Sequence, residues 1–327
     1  QFTSTIDGGQ TLAVDADGAD VTFSSTIGAT TAIGALTVLG NDLDLSGGNV
    51  EATGDVILVA NNPGADAESI TFSGRAIDAN GGNVFLSADD ITFGTGLAST
   101  GASGTTTVTI VGDTAASTIT VGKGAGSDAN LEFSEAELAT IGSDFSDVRI
   151  GMAASDGTVG GEAQADQSGT ITINANDGTL NFSAANLSLR GIAATTTITS
   201  AIDTSGASGK TLDLEGTAIN LNGDLTTDGA AISFTGPVTV NKGGATAVST
   251  GGGAGDVTFG NTLTLTSGGS DDLSITAGTG SVTLTGVVAI DDNDLTVVSS
   301  DLITVTGGIG GSTGNVGFTT VTRSDID

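Results

Sequence analysis

Adjacent acidic residues are the groups in this 327-residue sequence whose type and spacing suit chemistry. The clearest examples are Asp89-Asp90, Asp271-Asp272 and the run Asp291-Asp292 with Asp294. Two carboxylates held on either side of a glycosidic bond are sufficient for hydrolysis. Clustered carboxylates are also the hard oxygen ligands that Ca²⁺ prefers. The sequence therefore raises two chemical hypotheses, a polysaccharide-cleaving enzyme and a calcium-binding protein.

The rest of the composition argues against the enzyme. Cleavage of acidic sugars by elimination needs Lys or Arg, and the chain has seven of these against 38 acidic residues. Sugar subsites commonly use Tyr or Trp as stacking platforms, and the sequence has neither. Among so many acids, adjacent pairs arise by chance. We predict that the protein is not an enzyme and assign no catalytic residues.

Calcium is the stronger of the two hypotheses. Asp291, Asp292 and Asp294 are the candidate ligands, but the tandem GGxGxD repeats of calcium-binding β-rolls do not occur. At any single acidic turn, a solvated surface is the favoured interpretation. We therefore predict no cofactor, with calcium at these three residues as the alternative.

Several other classes are excluded by composition. A formal charge of −31 with scattered cations repels nucleic acid. Without Cys or His, the chain has no disulfides, thiolate metal sites or Ser-His-Asp triad. No apolar run approaches the ~20 residues of a membrane helix, so no membrane insertion is expected. The chain opens at Gln1 without a basic, hydrophobic leader, which suits a secreted protein whose signal has been removed, or an excised fragment.

The elements that carry these residues are short strands. Apolar and polar residues alternate with period two, as in 171–174, 187–190, 263–266 and 273–276, and Gly, Asn, Asp and Ser separate the alternating segments. This pattern predicts strands of roughly three to six residues with one buried face.

A longer period lies over the alternation. A signature of β-branched residue, small residue and apolar residue recurs at 21–25, 70–74, 91–95, 232–236, 257–261, 282–286, 303–307 and 316–320. Self-similarity at roughly 20–25 residues is typical of a solenoid whose units bury their cores by stacking. We predict an all-β fold, a right-handed parallel β-helix of about 15 coils forming a single domain over residues 1–327. An antiparallel sandwich is the competing architecture.

One segment departs from the repeat. In residues 131–151, Ser134 and Glu137 have the spacing of a capping box, which predicts a short helix over 135–140 that stops near Gly142. The segment is either a side element that offers a binding surface or a corner that covers an apolar edge. The second interpretation is favoured.

The segments at 21–45, 133–151 and 255–286 resemble the repeats of very large secreted bacterial surface proteins, the filamentous-haemagglutinin-like adhesins. The likeness extends over nearly the whole chain and is carried by degenerate repeats. It implies secretion to the cell surface or extracellular space, a β-helical shaft, and a role in adhesion or extracellular matrix. The secretion-signal domain at the start of such adhesins is not evident in this sequence.

The predicted function follows from the ends of the solenoid. Phe2 and Ile6 lie in a strand-like segment at the start, and Val316, Phe318 and Val321 lie in another at the end, with no capping helix at either terminus. Open terminal coils expose unpaired backbone groups, and head-to-tail contact generates a filament. We predict a structural subunit that polymerises with copies of itself through these residues. The alternative is the shaft of a large adhesin that contacts a surface, glycan or receptor.

Overall fold

The structure is a computed structural model that describes residues 1–61, 68–101, 105–123, 130–159, 162–266, 270–310 and 314–320. The chain winds as a parallel β-solenoid of about 12 turns, which confirms the predicted all-β, parallel β-helical fold. The antiparallel sandwich is wrong, since the strands of successive turns pair in parallel. The right-handed winding remains a prediction. Two compact units divide the chain, residues 1–170 and 171–327, so the single domain expected over 1–327 also remains a prediction.

Unit 1 (residues 1–170) contains short strands, one α-helix and one 3₁₀ turn at Ala154–Asp156 within its described residues. In chain order, these are β1 Leu12–Asp15, β2 Val21–Thr22, β3 Leu36–Gly40, β4 Leu43–Asp44, β5 Val50–Glu51, β6 Val56–Ala60, β7 Ser69–Thr71, β8 Ala76–Asp78, β9 Val84–Ser87, β10 Asp90–Thr92, β11 Gly96–Ala98, β12 Thr107–Val111, β13 Ile119–Gly122, β14 Leu131–Ser134, α1 Glu135–Leu138, β15 Asp147–Ile150, β16 Thr158–Val159 and β17 Glu162–Ala163.

Successive coils of unit 1 stack into three parallel sheets. The first contains β1, β3, β6, β9, β12 and β15, the second β2, β4, β7 and β10, and the third β5, β8 and β11. Strand β13 pairs with β14, and β16 forms an antiparallel pair with β17. The three-sheet arrangement requires a turn at each corner, which explains why Gly, Asn and Asp are so frequent.

Unit 2 (residues 171–327) consists of strands within its described residues. In chain order, these are β18 Ile171–Ile173, β19 Thr179–Asn181, β20 Asn186–Ile198, β21 Ala201–Asp203, β22 Leu212–Leu221, β23 Leu225–Thr226, β24 Ile232–Thr235, β25 Val238–Val240, β26 Thr246–Ser249, β27 Val257–Phe259, β28 Leu263–Leu265, β29 Leu273–Thr276, β30 Val282–Leu284, β31 Val288–Ala289, β32 Leu295–Ser299, β33 Ile303–Val305, β34 Ile309–Gly310 and β35 Val316–Thr320.

Unit 2 also has three strand ladders. One ladder joins the first halves of β20 and β22 to β24, β27, β30 and β33. A second joins β18 and the second halves of β20 and β22 to β25, β28, β31 and β34. The third contains β19, β21, β23, β26, β29, β32 and β35. Strands β20 and β22 run continuously through a corner that later coils divide into two strands.

The core is a set of apolar columns that run from coil to coil. Leu212, Ile232, Val257 and Val282 pair in register in successive turns, and each is fully buried. The residues between the buried ones face outward, so buried and partly exposed side chains alternate along strands such as β27 and β28. Each buried aliphatic side chain of this size contributes about 1.5–3 kcal/mol relative to an exposed one. The period-two alternation therefore sets the interior face of every coil.

The register explains the predicted repeat and one irregularity in it. The signatures at 232, 257, 282 and 303 occupy one ladder, as the longer repeat predicts. The signature at 316 follows unusually soon after the one at 303 and lies instead in the third ladder, where Phe318 pairs with Val297. The signatures at 303 and 316 therefore lie on two different sides of the same coil, which explains their short spacing in the sequence.

The number of turns is lower than predicted because some turns are much longer than the spacing of the sequence repeat. In unit 1, Val108 of β12 pairs directly with Val148 of β15, so a single turn of the first sheet runs from one of these residues to the other. That turn accommodates β13, β14 and the helix.

The predicted helix is present but shorter than expected. It covers Glu135–Leu138, with Ser134 as N-cap and Glu137 completing the capping box. Leu138 and Ile141 are buried, and Ile141 bridges to Leu97 in parallel, beyond the edge of the third sheet. The segment thus covers an apolar edge of the coil, which is the interpretation that the sequence favours.

Among the described residues, no helix has the length and apolar character needed to cross a membrane.

Candidate functional site

Corner carboxylates have a recurring structural role in the solenoid. Asp272 Oδ1 accepts a hydrogen bond from Asp294 N at 2.8 Å, and Asp294 Oδ1 accepts one from Asn315 N at 3.1 Å. The same arrangement in unit 1 joins Asp55 Oδ1 to Asn83 N at 2.8 Å. Each carboxylate satisfies a backbone donor of the next coil at a corner, where the strand ladder is interrupted. Much of the acidic surface is therefore explained by turn formation.

The three predicted calcium ligands occupy such a corner. Asp291 lies in a left-handed turn at φ 41° and its carbonyl oxygen accepts a hydrogen bond from Gly314 N at 2.7 Å. Asp292 is exposed, and Asp294 joins two neighbouring coils through the bonds given above. Within the described residues, the carboxylate oxygens of Asp291, Asp292 and Asp294 do not lie close enough together to bind one ion. Their geometry matches the solvated acidic turn.

A buried polar network lies beside that corner, and sequence reasoning did not identify it. Asn293 is fully buried; its side-chain amide donates to Thr266 O at 2.6 Å and to Ile290 O at 3.1 Å, and its Oδ1 accepts from Asp271 N at 2.8 Å. Asp271 is buried and accepts from Gly243 N at 2.6 Å and Thr266 Oγ1 at 2.5 Å. The only signal in the sequence is an Asn within a run of Asp, which does not distinguish a buried amide from an exposed one.

The predicted N-terminal assembly residues lie in the outermost coil of unit 1. Phe2 bridges to Phe23 and Ile6 bridges to Ile27, both in parallel, and both residues are half-buried. The rings of Phe2 and Phe23 stack with centroids 4.8 Å apart. In the first sheet, β1 pairs only with β3 among the described strands. One edge of this coil therefore has no partner strand within the described residues.

The predicted C-terminal assembly residues lie in the outermost described coil of unit 2. Val316 is half-buried, Phe318 is 43% exposed, and Val321 lies outside the described residues. Strand β35, which carries Val316 and Phe318, pairs only with β32 among the described strands. Two further apolar side chains of this coil are exposed, Leu302 at 61% and Ile309 at 40%. Three of the four exposed large apolar side chains among the described residues therefore lie in this coil.

A group of three acidic side chains lies inside unit 1. Glu68, Asp89 and Asp113 each place a carboxylate oxygen within 4.8 Å of the other two. Burial raises the pKa of Asp89 to about 7, together with its hydrogen bond to the Asp113 carboxyl group and the negative charges of Asp113 and Glu68. The sequence drew attention to Asp89 only as half of the pair Asp89-Asp90. That pair separates, since Asp90 lies at the start of β10 with much of its surface exposed. Partial burial of its carboxyl group and the charge of Glu137 raise the pKa of Asp90.

A groove of about 320 Å³ also lies on unit 1. Its lining combines Arg149 of β15 with Phe85, Asn83, Asp55 and Thr107, and strand β16 forms one side. Arg149 is one of only seven cations in the chain. The groove offers hydrogen-bond donors and acceptors beside one aromatic ring.

Searches of protein-family models, curated proteins and solved structures returned no match to this chain. Fold and site together define a class, a parallel β-solenoid repeat protein with acidic corners.

Proposed function

We propose that this chain is a structural, non-catalytic segment of a secreted extracellular or cell-surface filament, joined end to end through its outermost coils. The observation that carries the proposal is the concentration of exposed apolar residues, Leu302, Ile309 and Phe318, on a coil whose strands have one edge unpaired within the described residues.

Backbone pairing supplies the driving force for such a junction. An unpaired strand edge carries N–H and C=O groups that pair readily with another strand. Stacking the first coil of one copy on the last coil of another extends the parallel ladders and buries the exposed apolar side chains. The two surfaces differ from each other, so the contact is heterologous and continues into a fibre where its rotation does not close a ring.

The resemblance to filamentous-haemagglutinin-like adhesins supports an extracellular location and a shaft role. It also supports the other way of continuing the solenoid, in which the ladder runs on within one much longer polypeptide. Both forms place this chain in the shaft, and they differ in whether the junction is covalent.

Electron microscopy of the purified chain, combined with its mass under denaturing conditions, tests the proposal. We expect fibres that dissociate into chains of 31.4 kDa. Phe318→Asp places a charge in the proposed junction and is expected to abolish the fibres. Val287→Asp is the matched control, because Val287 is equally apolar and 53% exposed but precedes β31 in an earlier coil. A compact monomer at all concentrations, or equal fibre formation by both variants, would refute the proposal.

A second candidate function is glycan binding by the shaft, and the groove that contains Arg149 and Phe85 favours it. Glycan-array binding by the whole chain would support it if Arg149→Ala abolished the signal and Lys242→Ala retained it. Lys242 is the appropriate comparison because it is ion-paired with Asp224 in unit 2 at 2.8 Å. Identical binding by both variants would remove this candidate.

A further inference from the structure

Three acidic residues form a column across successive coils of unit 1. Strands β7 and β10 pair with Ser69 opposite Asp90, which places the preceding residues, Glu68 and Asp89, next to each other. Strands β9 and β12 pair with Ser87 opposite Val111, and continuing this register by two residues brings Asp113 to Asp89. In-register stacking spaces equivalent residues by about 4.8 Å. The solenoid therefore holds three acidic side chains together by its backbone register.

Two of the three side chains lack the partners that buried carboxylates need. Glu68 is only 3% exposed, and within the described residues no hydrogen-bond donor contacts its carboxylate. Asp89 Oδ1 is buried and has no hydrogen-bond partner, and the one side chain bonded to this carboxyl group is another acid, Asp113. Asp113 has one donor, Ser117 Oγ at 2.5 Å. No described Lys or Arg forms an ion pair with any of the three.

This arrangement is energetically unfavourable by itself. A buried polar atom without a partner costs about 1–3 kcal/mol, and a buried charge without a counter-charge costs more. The elevated pKa of Asp89 is consistent with this, because the dominant causes are burial and neighbouring acids. Buried charges in proteins are normally paired or coordinate a metal ion.

We propose that Glu68, Asp89 and Asp113 form a binding site for a Ca²⁺ ion that ties three successive coils of unit 1 together.

The ligand chemistry selects a hard cation. All three groups are carboxylates, and the sequence contains no His or Cys, the ligands that zinc and copper prefer. Ca²⁺ binds oxygens at about 2.3–2.6 Å, so a single ion spans oxygens up to roughly 5 Å apart. The three oxygens lie within 4.8 Å of each other. Mg²⁺ requires near-ideal octahedral geometry and gives up its water reluctantly, so a site made of protein carboxylates favours Ca²⁺.

The site also has space for further ligands. Asp113 lines a cavity of about 120 Å³ together with Ser87, Asn61 and Thr114. Ca²⁺ takes six to eight oxygen ligands, and water completes its coordination where protein oxygens are few. Of the three carboxylates only Asp113 lines this cavity, so it provides room for coordinated water on the Asp113 side of the site.

Calorimetric titration of the whole, chelator-treated chain with CaCl₂ tests the site, in about 150 mM NaCl to screen diffuse binding to the acidic surface. We expect one saturable Ca²⁺ per chain. Asp89→Asn should weaken this binding at least tenfold. Asp292→Asn removes one negative charge from an exposed corner and should bind as the parent does. Excess MgCl₂ should not displace the Ca²⁺.

Thermal denaturation gives a second readout that remains informative if the affinity is low. Ca²⁺ should raise the melting temperature of the parent and of Asp292→Asn, but not that of Asp89→Asn. Without metal, Asp89→Asn should melt above the parent, because the amide relieves repulsion between the carboxylates. The proposal would be overturned by equal Ca²⁺ binding in parent and Asp89→Asn, or by diffuse binding alone. Neither result would affect the filament proposal, whose residues lie in the outermost coils.

Discussion

Phe234 and Phe259 stack face to face in successive coils of unit 2, with ring centroids 4.3 Å apart and planes inclined by 13°. Both side chains are buried, at 1% and 0% exposure, and they pair in register through β24 and β27. The stack places the two largest side chains of this part of the core in direct contact. It is a direct consequence of the repeated signature, in which the third residue faces the interior.

Removing one ring of this stack should destabilise the protein strongly. Phe234→Ala leaves a cavity in a filled interior and is expected to lower the free energy of unfolding by about 3–5 kcal/mol. Urea denaturation followed by circular dichroism measures the change.

The double variant Phe234→Ala with Phe259→Ala should lose less than the sum of the single losses, by about 0.5–1.5 kcal/mol, because both variants remove the same stacking contact. Val287→Ala is the control on an exposed apolar side chain outside the proposed junction and should change the free energy of unfolding by no more than about 0.5 kcal/mol. Strict additivity of the two buried substitutions would contradict the stacking interaction.

The fold was predictable because its determinants are local and repeated. Alternation identifies the interior face of each strand, and the signature at 232, 257 and 282 identifies the residues that pair. The capping box of Ser134 and Glu137 likewise depends on two residues that lie within one helical turn. Such signals are readable without knowing where any coil ends.

The acidic column was not predictable for the opposite reason. Glu68, Asp89 and Asp113 lie far apart in the sequence, and their proximity depends on the exact length of each coil. Coil length varies along the chain, so the partner of a given Asp cannot be read from spacing. The burial of Asn293 is hidden in the same way, since its partners, Thr266 and Asp271, come from the preceding coil.

A glycine at one corner of unit 2 should tolerate no side chain. Gly236 has φ 137°, and a Cβ there would lie 2.0 Å from the carbonyl oxygen of Gly216 in the preceding coil. Gly236→Ala is therefore expected to cost about 1–3 kcal/mol or more, since the backbones of two coils must separate.

Gly244→Ala is the matched control, because a Cβ at Gly244 meets no atom within 4 Å. It should change stability by no more than about 0.5 kcal/mol. Thermal denaturation of both variants makes the comparison, and equal melting temperatures would contradict the close approach of the two coils.

The corner carboxylates should act as hydrogen-bond acceptors. Asp294→Asn keeps an oxygen that accepts from Asn315 N, so we expect nearly unchanged stability. Asp294→Ala removes the acceptor and should cost about 1 kcal/mol. Urea denaturation with and without Ca²⁺ checks both statements. If Asp294→Asn were as destabilising as Asp294→Ala, the negative charge would be the important property and a cation at this corner would be favoured.

Acid should weaken one corner of the first coil through Asp7. The backbone N–H of Thr30 donates to Asp7 Oδ1 at 2.8 Å, and this bond lowers the pKa of the Asp7 carboxyl below its usual 3.8. The backbone N–H of Thr31 lowers the pKa further, and a smaller effect of burial opposes both. Because the folded chain holds the carboxylate more strongly than the unfolded chain, the stabilisation is complete above about pH 3.8. The stabilisation is lost as the pH falls through the lower pKa of the folded state.

Carbon-13 NMR of the Asp7 carboxyl should give a midpoint below 3.8, and the Thr30 amide resonance should shift with the same midpoint. In Asp7→Asn, whose carboxamide oxygen accepts at every pH, that step in the Thr30 resonance should disappear. A carboxyl midpoint at or above 3.8 would show that the bond to Thr30 does not favour the charged form.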